Sequence, residues 1–290
     1  MSTQVTTAFV QQYTTNVELL LQQRGSKLAG LVTTGSYTGK AAKAVEQIGA
    51  VAAQRRTSRH ADTPLVNTPH DARWVHPNDF EVADLIDDQD KLRMLIDPQS
   101  SYAINQAYAI GRAKDDEIIK AALGTALTGE NGSTSTSFDT SNQQIAAGAS
   151  GLTVSKLRDA KEILMANEVD VDLDPLCMIV TAKQINDLLN TTEITSSDYN
   201  TIKALVQGDI DTFMGFKFVH CERLGVDGSS NRRIIAFAKS GMHMGMWNDI
   251  NTQITERADK SYATQVYTKA TFGATRTEEG KVVEILCSES

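Results

Sequence analysis

The sequence predicts a mixed α+β fold, and three stretches of the chain carry that prediction. A long helix is indicated over 97–124, and a helix–strand–helix alternation follows over 152–224. Residues 225–290 alternate β-branched and aromatic side chains with glycine-containing turns, which is typical of strands. With 290 residues, of which 41% are hydrophobic, the chain can bury two modest cores or one elongated core.

Residues 1–53 predict an N-terminal arm, because Thr, Gln, Gly and Ala dominate their composition. We expect short helices at 15–23 and 40–53, with glycines between them that interrupt any core-forming pattern. Too little apolar surface is available locally to offset the entropy of ordering the arm. The arm must therefore gain its order by lying against another surface.

Residues 54–80 predict a two-stranded excursion that is rich in arginine, histidine and proline. Its strands are expected at 55–60 and 72–76, and Pro64 and Pro69 keep its tip extended. An isolated ribbon is marginally stable in water, so it should rest on a neighbour. A long disordered loop is the alternative interpretation.

Residues 81–151 are organised around the long helix at 97–124. Asp97 can cap its first amides, Pro98 fixes the first helical backbone angle, and Gly124 is expected to close the helix in the left-handed conformation. At ~1.5 Å per residue the helix would be about 39 Å long, so other elements must pack against it.

Smaller elements flank this helix on both sides. Phe80–Ile86 alternates as a strand, and 87–96 predicts a short capped helix. Residues 128–151 are dominated by Ser, Thr, Gly and Asn and predict a surface loop with little regular structure.

Residues 152–224 predict a compact α/β domain. Thr153 is the natural cap of its first helix, and the apolar run at 176–181 is typical of a buried strand. The expected elements are a helix at 153–168, a strand at 176–181, helices at 182–190 and 198–207, and a hairpin at 208–224.

Residues 225–290 are expected to form strands whose apolar face packs against the long helix. This helix has the only long apolar stripe to which no other packing partner is assigned. Together with 81–151 they would make one domain that the α/β part interrupts in sequence. Methionines alternate from Met242 to Met246, which favours gap-filling core positions over a soft-metal site.

Composition and short motifs give no indication of catalysis, of a cofactor or of a metal. The segment TTGSYTGKAAKA resembles a phosphate loop, but Gly35 and Gly39 are too close together and Ala41 replaces the hydroxyl that would hold magnesium. The segment DVDLDP opens like a calcium loop, but Pro175 stands where the turn glycine belongs. It predicts a solvated turn.

Histidine and cysteine positions likewise favour structural roles. The histidines at 60, 70 and 76 lack regular ligand spacing, and no pair among Cys177, Cys221 and Cys287 has metal-ligand spacing. The cysteines are expected to be plain thiols of a protein made in a reducing cytoplasm. The net charge of -8 repels nucleic acid, so any contact with DNA should be weak and non-specific.

The order of these parts resembles the major capsid protein of tailed bacteriophages, with the Hong Kong 97-like fold. The resemblance is carried by the arm, the basic excursion, the long helix, the α/β stretch from LTVSKLRDAKEILMANEVDVDLDPLCMIVTAKQINDLL to FMGFKFVHCERL, and the closing strands GMHMGMWNDINTQITERADKSYATQVYTKATFGATR. It covers nearly the whole chain and depends on the order of elements instead of a short motif.

The resemblance implies a domain assignment. Residues 1–53 would be the N-terminal arm and 54–80 the E-loop, which reaches over the adjacent subunit. Residues 81–151, with the spine helix at 97–124, and 225–290 would form the peripheral domain, and 152–224 the axial domain.

The resemblance also implies function and partners. Hexamers and pentamers of the protein would form an icosahedral shell around double-stranded DNA in the virion, after synthesis in the bacterial host cytoplasm. A separate scaffolding protein is expected because the arm is short, together with a portal and a decoration protein. One family variant crosslinks its shell through an E-loop lysine, but this chain has no lysine between Lys43 and Lys91, so that chemistry is not supported.

Charge complementarity suggests where neighbouring subunits meet. The sequence RAKDDE interrupts the apolar stripe of the long helix, which favours the arrival of a basic loop from the next subunit. The residues expected in this contact are Arg55, Arg56, Arg59, Arg73, Trp74, Asp115, Asp116 and Glu117. Two other functions stay open from the residues alone: a cytoplasmic nucleotide- or metal-binding enzyme, and another phage structural protein of the tube or decoration class.

Overall fold

The computed structural model describes residues 22–59, 62–63, 65–86, 99–190 and 212–289. The chain divides into two compact units. The first contains the described residues of Met1–Ser26, Asp79–Arg112 and Asn248–Ala270. The second contains those of Lys27–Asn78, Ala113–Trp247 and Thr271–Ser290.

Helices and strands alternate along the described chain. The α-helices are α1 (Gln99–Leu123), α2 (Val154–Ala166) and α3 (Ala182–Leu189). The strands are β1 (Thr33–Ser36), β2 (Ala42–Ile48), β3 (His70–Val75), β4 (Asn78–Ile86), β5 (Ala126–Thr128), β6 (Thr134–Thr136), β7 (Gln144–Ile145), β8 (Leu176–Val180), β9 (Thr212–Phe213), β10 (Phe216–His220), β11 (Arg232–Ala238), β12 (Met242–Arg257), β13 (Ala263–Arg276) and β14 (Val282–Cys287).

The main core of the second unit surrounds a six-stranded sheet of order β7-β14-β11-β8-β10-β9. Every residue of β8 is buried, as expected for an apolar run covered on both faces. Leu157 and Leu164 of α2 and Leu188 of α3 are fully buried in the same cluster. The Thr153 side chain accepts a hydrogen bond from the Lys156 main-chain N–H, which confirms the predicted cap.

The prediction for the C-terminal strands is partly wrong. Strands β11 and β14 pair with each other, and β11 also pairs with β8, so both belong to the sheet of the α/β part. The physical reason is that Ile234–Ala238 is a continuous apolar run, which must be covered on both faces. Strands β12 and β13 belong to a different sheet, of order β1-β12-β13-β4.

Packing of β13 against α1 follows the prediction. In the first unit, the Gln106 side chain of α1 donates to the Val266 carbonyl at 3.0 Å and accepts from Thr268 Oγ1 at 2.8 Å. Met242 and Met244 of β12 are buried in the core, as their alternation predicted.

A hairpin of β2 and β3 replaces two of the predicted elements. The strands pair antiparallel from Ala42 with Val75 to Ile48 with His70 and form a sheet of order β2-β3-β5-β6. The helix predicted at 40–53 is wrong because pairing with β3 overrides the helix propensity of Ala, Lys, Glu and Gln. The strand predicted at 55–60 is also wrong, since residues 51–59 are exposed and irregular.

Helix α1 confirms the predicted long helix, but it ends differently from the prediction. Gly124 does not adopt the left-handed conformation. A Cβ at this position would lie 2.5 Å from the Lys120 carbonyl oxygen, so close backbone approach requires the glycine. The helix is capped instead by fully buried Arg276, whose Nη1 donates to the carbonyls of Ala122 and Gly124, both at 2.9 Å.

The remaining predictions for secondary structure differ in their outcome. The strand at 80–86, the helix at 182–190 and the hairpin at 208–224 are confirmed by β4, α3 and the β9–β10 pair. The predicted loop at 128–151 contains the short strands β6 and β7. Asp97, Pro98, the helices at 87–96 and 198–207, and most of the helix at 15–23 lie outside the described residues.

Candidate subunit-contact surfaces

The segment between β2 and β3, residues 49–69, carries exposed basic and apolar side chains in its described part, and we call it the extended loop. Arg55, Arg56 and Arg59 are all exposed. Leu65 is 97% exposed, and Val66 is also exposed. Guanidinium and aliphatic groups are therefore presented together to solvent, as on surfaces that become covered in an assembly.

Side chains at the base of the hairpin anchor the extended loop within its own subunit. Arg73 is buried, its Nη2 pairs with the Glu279 carboxylate, and its Nε donates to Gln47 Oε1 at 3.3 Å. Trp74 Nε1 donates to the Gly129 carbonyl at 2.7 Å. Arg73 and Trp74 thus hold the base of the hairpin against other parts of the same chain.

The carboxylate of Asp115 is buried inside the second unit. Its two oxygens accept hydrogen bonds from the main-chain N–H groups of Lys27 and Leu28, both at 3.1 Å. The sequence predicted that Asp115 would contact a basic loop of another subunit. Asp115 is instead fully buried and binds the main chain of the arm at Lys27 and Leu28, so its side chain is not presented to a neighbour.

The two carboxylates that follow on α1 also have partners in the same chain. Asp116 forms a two-pronged ion pair with Arg223, with Nε to Oδ1 at 2.6 Å, and this hydrogen-bonded pairing raises the pKa of Arg223. Glu117 accepts from Lys120 Nζ at 3.0 Å and from Asn78 Nδ2 at 3.1 Å. A role for these residues between subunits stays a prediction.

Residues 22–25 of the arm cross α1 in the first unit. A Cβ on Gly111 would lie 2.6 Å from the main chain of Gly25, so the two backbones touch at this point. Arg112 Nη1 donates to Gln22 Oε1 at 2.7 Å and to the Gln23 carbonyl at 3.2 Å. The sequence signal for this crossing is Gly111 itself, because a glycine inside a helix can mark close backbone approach.

Strand β1 continues the arm along β12 in a parallel pair that runs from Thr33 with His243 to Ser36 with Met246. The imidazole of His243 is buried between two hydroxyls, with Nδ1 3.0 Å from Thr33 Oγ1 and Nε2 2.8 Å from Tyr37 Oη. Burial lowers the pKa of His243 and raises that of Tyr37. The segment that resembled a phosphate loop is therefore partly a β-strand.

The described ranges contain no group of three or more His, Cys, Asp and Glu residues that could hold a metal ion. Cys177, Cys221 and Cys287 are buried free thiols, and burial raises the pKa of Cys287 to about 11. Within the same ranges, no helix is long and apolar enough to span a membrane.

Solved capsid structures share this arrangement of elements. A capsid chain of cyanophage P-SCSP1u superimposes with a TM-score of 0.73 at 15% identity, over 99% of this chain and 95% of that one. A chain of Mycobacterium phage Che8 gives 0.71 at 16% identity, over 96% and 97%, and a capsid chain of cyanophage Pam1 gives 0.72 at 12% identity, over 98% and 97%. These similarities confirm the mixed α+β, Hong Kong 97-like fold.

Sequence comparison identifies the family. None of the curated proteins matches the chain. The family of the phage capsid protein matches residues 5–289, which is nearly the whole sequence. The chain therefore belongs to the phage capsid protein family, as a structural, self-associating component of the virion capsid and not as an enzyme.

Proposed function

We propose that this capsid protein assembles as hexamers and pentamers into an icosahedral head that encloses double-stranded DNA. The observation that carries the proposal is the extended loop, which presents arginines and aliphatic side chains to solvent from an anchored hairpin. A surface of this composition is suited to covering an adjacent subunit. The loop would be the E-loop of the family.

Aliphatic side chains supply most of the expected contact energy in this arrangement. Burying an exposed Leu or Val contributes about 1.5–3 kcal/mol, whereas an exposed ion pair contributes about 0–1 kcal/mol. Leu65 and Val66 are therefore proposed as anchors, and Arg55, Arg56 and Arg59 as groups that orient the loop. Many repeated weak contacts then stabilise a shell.

Burial excludes one of the acidic residues that were predicted to pair with these arginines. Asp115 is fully buried, so we propose Asp116 and Glu117 of the adjacent subunit as the remaining acidic partners on α1. Their ion pairs with Arg223 and Lys120 would become part of a larger charge network. Arg73 and Trp74 act indirectly, by fixing the base of the loop.

The domain assignment is proposed in the same terms. The boundaries predicted from sequence are 1–53 for the arm, 54–80 for the E-loop, 81–151 with 225–290 for the peripheral domain and 152–224 for the axial domain, and two strand pairings favour changes to them. Pairing of β11 and β14 with the α/β sheet supports adding these two strands to the axial domain. The hairpin register supports starting the E-loop at β2.

Other partners are proposed from chemistry and family. A net charge of -8 supports weak, non-specific contact with packaged DNA, because a strongly attractive wall would hinder packing and release. A separate scaffolding protein, a portal and a decoration protein would complete the head. Synthesis in the host cytoplasm fits the three free thiols.

Electron microscopy of the expressed chain, alone and with a candidate scaffolding protein, tests this proposal. Closed shells are expected, while tubes or small discrete oligomers would contradict it. Arg55→Glu/Arg56→Glu should reduce the particle yield and leave the subunit folded by circular dichroism. Arg55→Lys/Arg56→Lys is the matched control, since it keeps the charge and should assemble normally. Normal particles from the charge-reversed variant would show that these arginines do not take part in the contact.

A further inference from the structure

An exposed leucine stands at the tip of the acidic loop Asp170–Asp174, between α2 and β8. Leu173 is 84% exposed. The loop is held by internal hydrogen bonds, because the Asp170 carboxylate accepts from the main-chain N–H groups of Asp172 and Leu173, both at 3.1 Å. Asp174 accepts from the Ser240 N–H at 3.1 Å, which fixes the other side of the loop. These hydrogen bonds hold the main chain that carries the leucine.

An apolar groove with a basic rim lies elsewhere in the same unit. Its volume is about 470 Å³, and its lining residues are Arg158, Lys161, Glu162, Met165, Ala166 and Met214. Met165 is 54% exposed, and flexible thioethers adapt well to an inserted aliphatic group. Lys161 Nζ donates to the Met214 carbonyl at 3.1 Å, which holds the β9–β10 turn against α2.

The loop and the groove are formed by different residues at the same end of the six-stranded sheet. The loop leads into β8 and binds Ser240, which follows β11, and the groove includes the turn that leads into β10. Strand β8 begins beside the start of β10 and beside the end of β11, so both patches lie near the start of β8. A contact between two different patches of identical chains is head-to-tail, and it forms a ring when the rotation between the copies closes.

We propose that Leu173 of one subunit inserts into the Met165–Met214 groove of a second copy of this chain, and that this contact repeats around the hexamer and pentamer axes. The inference rests on the proposed function. Charge complementarity supports a second copy as the occupant, because Asp170 and Asp172 flank the leucine, while the groove has two basic residues, Arg158 and Lys161, against one acidic residue, Glu162. The aliphatic contact supplies affinity, and the charges set the orientation.

Substitution of the leucine is the first test. Leu173→Ser should lower the yield of closed particles by about tenfold relative to wild type, because the same loss repeats at every contact of a ring. Val226→Ser is the matched control, since Val226 is also an exposed aliphatic residue of the same unit, outside the loop and the groove. Both variants should keep the wild-type unfolding temperature. Equal particle yields from Leu173→Ser and wild type would overturn the proposal.

Disulfide trapping locates the contact directly. The native cysteines are buried, so an introduced pair, Leu173→Cys/Met214→Cys, can be oxidised selectively in assembled particles. Covalent pentamers and hexamers are expected on a non-reducing denaturing gel, and neither single variant should form them. Monomers alone from oxidised double-variant particles, or a crosslink to the scaffolding protein instead, would overturn the proposal.

Charge exchange gives an independent test of orientation. Asp172→Lys and Arg158→Glu should each lower the particle yield, and the double variant should recover most of it. An additive loss in the double variant would show that the two charges do not meet. If wild type itself forms no closed shell, the proposed function fails; if wild type forms shells and the variants do too, only this inference fails.

Discussion

Buried charged side chains bind main-chain groups at several places in the described structure. Asp115 accepts from two main-chain N–H groups, and Arg276 donates to the last carbonyls of α1. Lys156 Nζ donates to four carbonyls, those of Ala147, Ser150, Gly151 and Leu286, at 2.8 to 3.0 Å. Each charge binds several main-chain groups at once, and hydrogen bonds to charged groups contribute more than those between neutral groups.

Arg276 gives a prediction for stability. Arg276→Met keeps much of the side-chain volume but leaves the carbonyls of Ala122 and Gly124 without these donors. We expect the free energy of unfolding to fall by about 2–4 kcal/mol. Urea denaturation followed by circular dichroism measures this, with the exposed Arg158→Met as control. A loss below about 0.5 kcal/mol, the range of ordinary surface substitutions, would contradict the capping role.

His243 gives a prediction for pH dependence. Burial lowers its pKa below the ordinary value of 6.5, so the unfolded chain binds the proton more readily than the folded chain. The stability linked to this group is complete above pH 6.5 and is lost as the pH falls through the folded pKa.

The measurement is the apparent unfolding temperature at pH 7.5 and pH 5.0. Wild type should lose more stability on acidification than His243→Gln, which cannot take up the proton at this site. Identical losses in the two proteins would show that His243 does not contribute to acid sensitivity.

At the scale of elements, the arm is ordered by specific contacts along its path. Residues 22–26 cross α1 at Gly111 in the first unit. In the second unit, Asp115 holds the main chain at Lys27 and Leu28, and β1 pairs with β12. Two charges of RAKDDE bind the arm, because Arg112 binds residues 22 and 23 and Asp115 binds residues 27 and 28. Asp116 and Glu117 pair instead with Arg223 and Lys120.

The crossing at Gly111 gives a prediction for an element contact. Gly111→Ala would normally favour a helix by about 1 kcal/mol, but the new Cβ would lie 2.6 Å from the Gly25 main chain. We expect a net destabilisation of about 1–3 kcal/mol, because the two backbones must separate. Thermal unfolding measures it, and Gly228→Ala is the control because no atom lies within 4 Å of its added Cβ. A stabilised Gly111→Ala protein would contradict the close crossing.

Local signals explain which elements could be predicted from sequence. The helical period of α1, the Thr153 cap of α2 and the apolar run of β8 depend on residues near one another in the chain, and all three are confirmed. Strand β2 could not be recognised, because AKAVEQI contains good helix formers and becomes a strand only by pairing with β3. Asp115 and Arg276 act on partners 87 and 154 residues away, which no local pattern reveals.

At the scale of the whole molecule, elements with a buried core hold exposed loops that we propose for contacts between subunits. The six-stranded sheet and α1 are stabilised by long-range pairing and by buried side chains. The extended loop and the Asp170–Asp174 loop protrude from these elements and keep large apolar side chains in water. If assembly covers these side chains as proposed, their burial will add to the stability of the subunit only in the shell.

The capping of α1 by Arg276 also affects when the subunit can complete its folding during synthesis. The donor to the Ala122 carbonyl, Arg276, lies 154 residues later in the chain. Strand β14, at 282–287, forms part of the six-stranded sheet. During synthesis the end of the helix and this sheet therefore stay incomplete until residues 276–287 have left the ribosome. We expect a partly made subunit to lack finished contact surfaces until then, which would separate translation from association with neighbouring copies.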